Sequence, residues 1–213
     1  PLFVLMGEFV SRSGSAADLY RVMNFGLKRI PGRLAVATVA GNAVFAAVTG
    51  TSLASAAAFS RLAYPEMMKA GYNRKFALGS VAGSACLGML IPPSVLLIIW
   101  GIVTEISIGF LFLAGIIPGL VLALLMAFYC SGTAMIKPSL APAVDLSNEK
   151  LTTQEMISGG GVIFLIVAVL GSIWVGLATP SEAAALGALF GLVLALIKGV
   201  RWEGIRESII DSG

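Results

Sequence analysis

Two short stretches hold residues whose types and spacing can do chemistry. In "VTGTS", Val48 to Ser52, the hydroxyls of Thr49, Thr51 and Ser52 surround Gly50. In "GMLIPPS", Gly88 to Ser94, Pro92 and Pro93 stand side by side. Proline has no amide donor and clashes with the preceding turn, and it disfavours helical backbone at Ile91 before it. A helix entering either stretch should break there. Free carbonyls at the end of a broken half-helix are partially negative, and the free amides that open the next half-helix are partially positive. The carbonyls of Val48 to Gly50 and Gly88 to Ile91, with the three hydroxyls, are hard neutral oxygens suited to Na⁺. The opposing N-termini, near Leu53 and near Ser94, suit an anionic substrate. Neither segment holds an ionisable residue, so nothing there titrates as a proton carrier.

The elements that must position these stretches are membrane helices. The chain has 213 residues, of which 58% are hydrophobic and 12% charged, against about a quarter charged in soluble domains. Charge-free runs extend over Leu34–Ser60, Phe76–Thr104, Ile106–Ile136, Met156–Ser181 and Ala183–Ile197. A spanning helix needs about 20 apolar residues, whereas barrel strands show short alternating segments. The expected fold is an all-α integral membrane protein.

Several functions are disfavoured outright. There is no histidine, hence no HExxH metal motif, no histidine-based triad and no imidazole relay. No GK[ST] is present, so a P-loop is excluded. Cys86 and Cys130 lie far apart inside apolar runs and read as packing residues. The chain is not expected to be an enzyme, and needs no cofactor beyond Na⁺ as a coupling ion.

Basic residues mark the cytoplasmic side. Arg12, Arg21, Lys28, Arg29 and Arg33 precede the first long run, and Arg61, Lys69, Arg74 and Lys75 follow it. Both flanks belong on one side, which a single crossing by 34–60 cannot give. A re-entrant hairpin turning at "TGTS", with arms of about 13 residues, satisfies both. The alternative is a plain span whose small residues pack against a neighbour. The other runs alternate without conflict, turning outside at Glu105 and returning inside at Lys137, Lys198, Arg201 and Arg206. Thr152 with Glu155, and Thr179 with Pro180 and Glu182, have the spacing of capped helix starts, so Glu182 reads as a cap. Glu8 reads as an interfacial group. "GSVAG" at 79 to 83 and "GALFG" at 187 to 191 have GxxxG packing spacing.

These readings divide the chain into six parts. Residues 1–33 are the end of a membrane helix and a basic cytoplasmic connector; 34–60 the hairpin; 61–75 a basic cytoplasmic loop. Residues 76–136 form a broken transmembrane helix and a return helix, 137–155 a cytoplasmic connector, and 156–213 the last two membrane runs with a basic end.

The stretch from "FAAVTGTSLASAAAFSRLAYPEMMKAGYNRK" through "GSACLGMLIPPSVLLIIWGIVTEISIGF", with "PLFVLMGEFVSRSG" before it and "GLATPSEAAALGALFG" after it, resembles the large membrane subunit of tripartite ATP-independent periplasmic (TRAP) transporters. The resemblance covers most of the chain and is weakest over the connector from Lys137 to Glu155. It implies an elevator-type permease of the bacterial inner membrane. Such permeases take up organic acids such as dicarboxylates or sialic acid on a Na⁺ gradient, with a periplasmic binding protein and a small four-helix membrane subunit as partners.

By this resemblance Thr49, Gly50, Thr51, Ser52, Gly88, Ile91 and Pro92 are sodium-site residues, and Ser52, Pro93 and Ser94 substrate-site residues. The family's usual Gly-Ser-Ser is here Gly50-Thr51-Ser52. The chain matches the first inverted repeat and the opening of the second, so a fragment of a longer permease is expected. Membrane lipid is an expected partner and nucleic acid is not. Two other readings stay open: a hairpin-bearing transporter without a binding protein, and a non-transporting membrane assembly subunit.

Overall fold

The computed structural model describes residues 2–143 and 151–212. Among these residues all regular structure is helical: α1 (Leu2–Arg12), α2 (Ser15–Gly26), α3 (Arg33–Thr49), α4 (Ser52–Lys69), α5 (Arg74–Ala85), α6 (Val95–Thr104), α7 (Ile108–Ile136), α8 (Thr153–Trp174), α9 (Pro180–Ile197) and α10 (Trp202–Ser212). A 3-10 turn, Cys86–Met89, continues α5. The fold is all-α, and α7, α8 and α9 are each long and apolar enough to cross a membrane. One face of α7 bares Ile117, Leu120, Leu124, Leu125 and Phe128, the surface a bilayer would cover.

α3 is the axis of the assembly. Its apolar residues follow no stripe, and all but Ala40, Ala43 and Val44 are buried, the pattern of a helix enclosed on every side. It touches α1, α2, α4, α5, α7 and α8. Phe59 of α4 seals its near side, fully buried against the bare face of Gly41. Edge-to-face contacts join Phe59 to Phe45 at 5.9 Å and to Tyr20 of α2 at 6.0 Å.

Two expectations require correction. The connector expected before residue 33 contains α2, which packs on α8 where Gly159 lets the Asp18 carbonyl approach. The loop expected over 61–75 is helical as far as Lys69 and narrows to 70–73. The reason is one buried stripe, Phe59, Ala63 and Met67, which carries α4 on while Arg61, Pro65, Glu66 and Lys69 face outward. Part of the connector over 137–155 lies outside the described residues. Its described end shows the expected start of α8: the Thr152 amide donates to Glu155 Oε2 at 2.9 Å, and Arg21 pairs with the same carboxylate. At α9, the Thr179 amide donates to Glu182 Oε2 at 2.7 Å and Thr179 Oγ1 accepts from the Glu182 amide at 3.3 Å.

The chain's two ends are tied back to its beginning. Arg12 of α1 pairs with Glu207 and Asp211 of α10. Met6 lies over Gly187 and Gly191, the glycines of one GxxxG pair. Asp18, in the first turn of α2, pairs with Lys198 at the C-cap of α9, each placed where its helix end favours its charge.

Because both side chains of this last pair are largely covered, 15% and 12% exposed, removing one partner strands the other charge. Asp18→Asn should lower stability by roughly 1–3 kcal/mol, allowing for partial solvent screening. Asp18→Asn with Lys198→Met should recover most of that loss. Thermal unfolding of the purified variants in detergent measures both, and additive effects would show that the pair is uncoupled.

Candidate functional site

α3 ends in a glycine cap. Gly50 has a left-handed backbone, φ 65°, and its amide donates to Ala46 O at 2.7 Å, a conformation side chains resist. Thr51 is extended, and its Oγ1 accepts from the Ala54 amide at 3.4 Å as the N-cap of α4. The chain thus changes direction within two residues, setting the partially negative end of α3 beside the partially positive start of α4.

The second break is built differently. After the 3-10 turn, the amides of Leu90 and Ile91 both donate to Leu87 O, at 3.0 and 2.8 Å. In a continuous helix the Pro92 and Pro93 amides would serve the carbonyls of Gly88 and Met89, but proline has none. Ser94 Oγ replaces one of them by donating to Met89 O at 2.8 Å. α6 starts directly afterwards at Val95.

The two breaks meet backbone to backbone. The Val95 amide, one of the orphan donors of α6, donates to Gly50 O at 3.1 Å. A Cβ on Gly50 would stand 2.8 Å from Pro93 O, and one on Gly88 would stand 2.7 Å from Thr51 O. Gly50, Thr51 and Ser52 are therefore assembled with Gly88, Pro93 and Ser94. The other residues of the expected set face the walls. Thr49 lies under Gly7 of α1, whose absent side chain leaves 2.9 Å from its ideal Cβ position to Thr49 Cα. The Leu90 carbonyl and Pro92 lie against Gly115 of α7, and Ile91 against Gly119.

Proton bookkeeping narrows what each group offers. Thr49 Oγ1 donates to Phe45 O at 3.2 Å and Ser94 Oγ to Met89 O, so both present only lone pairs to a newcomer. Such oxygens attract a cation. An acidic group approaching them finds no donor, and must use the amide ends of α4 and α6. The Gly50 carbonyl, expected to be free, spends one lone pair on Val95 and keeps the other.

The comparisons bear on this geometry. The family model described as tripartite ATP-independent periplasmic transporter, DctM component, matches residues 1–213. The chain belongs to the DctM family. It is 35% identical to the C4-dicarboxylate TRAP transporter large permease protein DctM of Pseudomonas aeruginosa, over 100% of this chain and 50% of that protein. It is 34% identical to the isethionate TRAP transporter permease protein DctMQ of Oleidesulfovibrio alaskensis, over 91% of this chain and 30% of that protein. With the ectoine TRAP transporter large permease protein TeaC of Halomonas elongata it shares 33% identity, over 92% of this chain and 46% of that protein. The chain spans about half the length of these curated relatives, or less. The family comprises inner-membrane transporter permeases and not enzymes, and the substrates named for its members vary.

This DctM-family chain also buries polar residues that were not foreseen. Asn42, on α3, is fully buried and donates from Nδ2 to Ser84 Oγ of α5 at 2.7 Å. Ser84 in turn donates to Ser80 O at 2.6 Å. Asn42 Oδ1 and Ser55 Oγ of α4 are buried without a hydrogen-bond partner among the described residues. Leaving such an oxygen unmatched costs about 1–3 kcal/mol, so these positions carry a polar requirement. Asn42 stands in a charge-free apolar run, and that oddity was the available signal.

Close approach at Gly88 gives a direct check. Gly88→Ala would drive a methyl into the Thr51 peptide and should lower stability by about 1–3 kcal/mol while separating the two breaks. Gly79→Ala, where an added Cβ meets nothing within 4 Å, should be neutral or slightly stabilising. Thermal midpoints of both variants test the pair; equal effects would mean that the Gly88 contact places no demand on the fold.

Proposed function

We propose that this chain supplies a hairpin and a broken helix to the ion and substrate sites of a Na⁺-coupled TRAP permease. The observation that carries the reading is the Val95 to Gly50 bond, because it brings two half-helix N-termini and two half-helix C-termini to one place. Sodium binds the neutral oxygens of Thr49, Gly50, Thr51 and Ser52 together with carbonyls of the Gly88–Pro92 segment. The amide ends of α4 and α6, reached past Ser52 and the Pro93–Ser94 edge, receive the acidic group of the substrate.

C4-dicarboxylate, isethionate and ectoine, the compounds named for relatives, all bear a carboxylate or sulfonate. An organic acid of that kind, a dicarboxylate, sialic acid or similar, is the proposed cargo. A periplasmic binding protein delivers it, and a small membrane subunit accompanies the permease. α3 and α4 act as a re-entrant hairpin whose base, at Arg33 and Lys69, sits at the cytoplasmic surface in accord with the basic residues there.

The test is the thermal midpoint of the purified protein over a Na⁺ titration, with K⁺ or choline replacing Na⁺ at constant ionic strength. Specific binding stabilises by RT ln(1 + [L]/Kd), about 2.7 kcal/mol at one hundred times Kd. The expected result is a Na⁺-selective rise that Thr51→Ala with Ser52→Ala abolishes. A rise shared equally by K⁺ and choline, or unaffected by the double change, would overturn the ion assignment.

A further inference from the structure

A second feature lies away from the two breaks, where the α2–α3 loop and the α4–α5 turn meet the end of α7. A cavity of about 490 Å³ there is lined by Lys28, Arg29 and Arg33, with Tyr72, Ala134 and Pro138 among its other walls. Among the described residues none of its walls carries a carboxylate. Lys28 and Arg29 are exposed, and Lys28 Nζ stands 4.7 Å from the Phe25 ring.

This basic cavity adjoins an apolar groove. The groove, about 340 Å³, runs between α3, α5 and α7 past Phe76, Gly79, Gly83, Met126 and Cys130, with Lys75 at one end. Two contacts connect them. Tyr72, a wall of the cavity, stacks on Phe76, a wall of the groove, at 6.3 Å. Cys130 and Ala134, one turn apart on α7, line the groove and the cavity respectively, and Gly32 of the basic loop sits directly on that turn. On α7, Tyr129, a wall of the groove, and Leu125 one turn before it are bare, a surface that a bilayer would cover.

We propose that this combined site holds one anionic glycerophospholipid, its phosphate in the Lys28–Arg29 cavity and an acyl chain in the Gly79–Gly83 groove. Charge complementarity selects the headgroup: cations are present to meet phosphate, and no described carboxylate in the cavity is available to meet the ammonium of a zwitterionic lipid. The bare helix face selects a lipid over a soluble anion, which has no use for an apolar groove. Gly79 gives the chain room, since an added Cβ there meets nothing within 4 Å.

Native mass spectrometry of the purified protein with phosphatidylglycerol, or with phosphatidylcholine of the same acyl chains, tests the proposal. Phosphatidylglycerol should be retained preferentially. Lys28→Gln with Arg29→Gln should weaken its retention on the order of tenfold, because each basic residue at a membrane surface contributes to anionic-lipid affinity. Gly79→Leu should also weaken retention without lowering the thermal midpoint, since the leucine occupies only the open groove. Equal retention of the two lipids, or full retention by the double-glutamine variant, overturns the proposal. So does displacement of phosphatidylglycerol by inorganic phosphate with no effect of Gly79→Leu, which would mark a soluble-anion site.

Discussion

Backbone groups released where a helix stops inside apolar surroundings must find partners within the protein, because hydrocarbon offers none and each unmatched group costs several kcal/mol. This chain stops two helices in its buried interior and lets each stop supply the other. The Gly50 carbonyl receives the first amide of α6, and Ser94 fills the place of an amide that proline removed. The exchange needs contact between main chains, so Gly50 and Gly88 stand where a Cβ would meet the opposing peptide at 2.8 and 2.7 Å. The burial of α3 on all sides and the bare faces of Gly7, Gly115 and Gly119 serve the same end. They bring α1 and α7 close enough to cover irregular backbone that could not face lipid.

The positions of the two stops were legible because their causes are local. A glycine among hydroxyls and a pair of prolines act through their own backbone, and the caps at Thr152 and Thr179 act through residues three positions away. The extent of α4 was not legible, since Arg61, Glu66 and Lys69 look like a loop until the stripe Phe59, Ala63, Met67 is seen to be buried. α2 was hidden in the same way, by polar residues that face outward from a helix packed on α8. What no local pattern encodes is partnership: Asn42 with Ser84, Asp18 with Lys198, and Gly50 with Val95 are joined only by the fold. The candidate site was thus readable as two lists of residues, but not as one crossing, nor in which members face the crossing and which face α1 and α7.

On the proposed reading, the crossing gives a reason for a neutral ion site. A carboxylate at this depth would hold a cation tightly and carry a large desolvation penalty when empty. Hydroxyls already donating to their own helices, as Thr49 and Ser94 do, offer lone pairs that need no such compensation. On the proposed reading the ion is bound by many weak dipoles, which allows it to leave as readily as it arrives.

Gly50 O has a double part in that reading, as partner of the Val95 amide and as a candidate cation ligand. A cation drawing on its remaining lone pair competes with the Val95 amide for the same oxygen and weakens that bond to α6. The Val95 amide at the end of α6 is then freer to donate to an acidic substrate when the ion is present. Conversely, a substrate anion at that end stabilises the arrangement in which Gly50 O faces the cation, and the two affinities rise together by the reciprocity of linked binding. On that reading the coupling of ion and substrate affinities needs no charge relay, because the carbonyl shared between the hairpin and the broken helix lets each ligand sense the other.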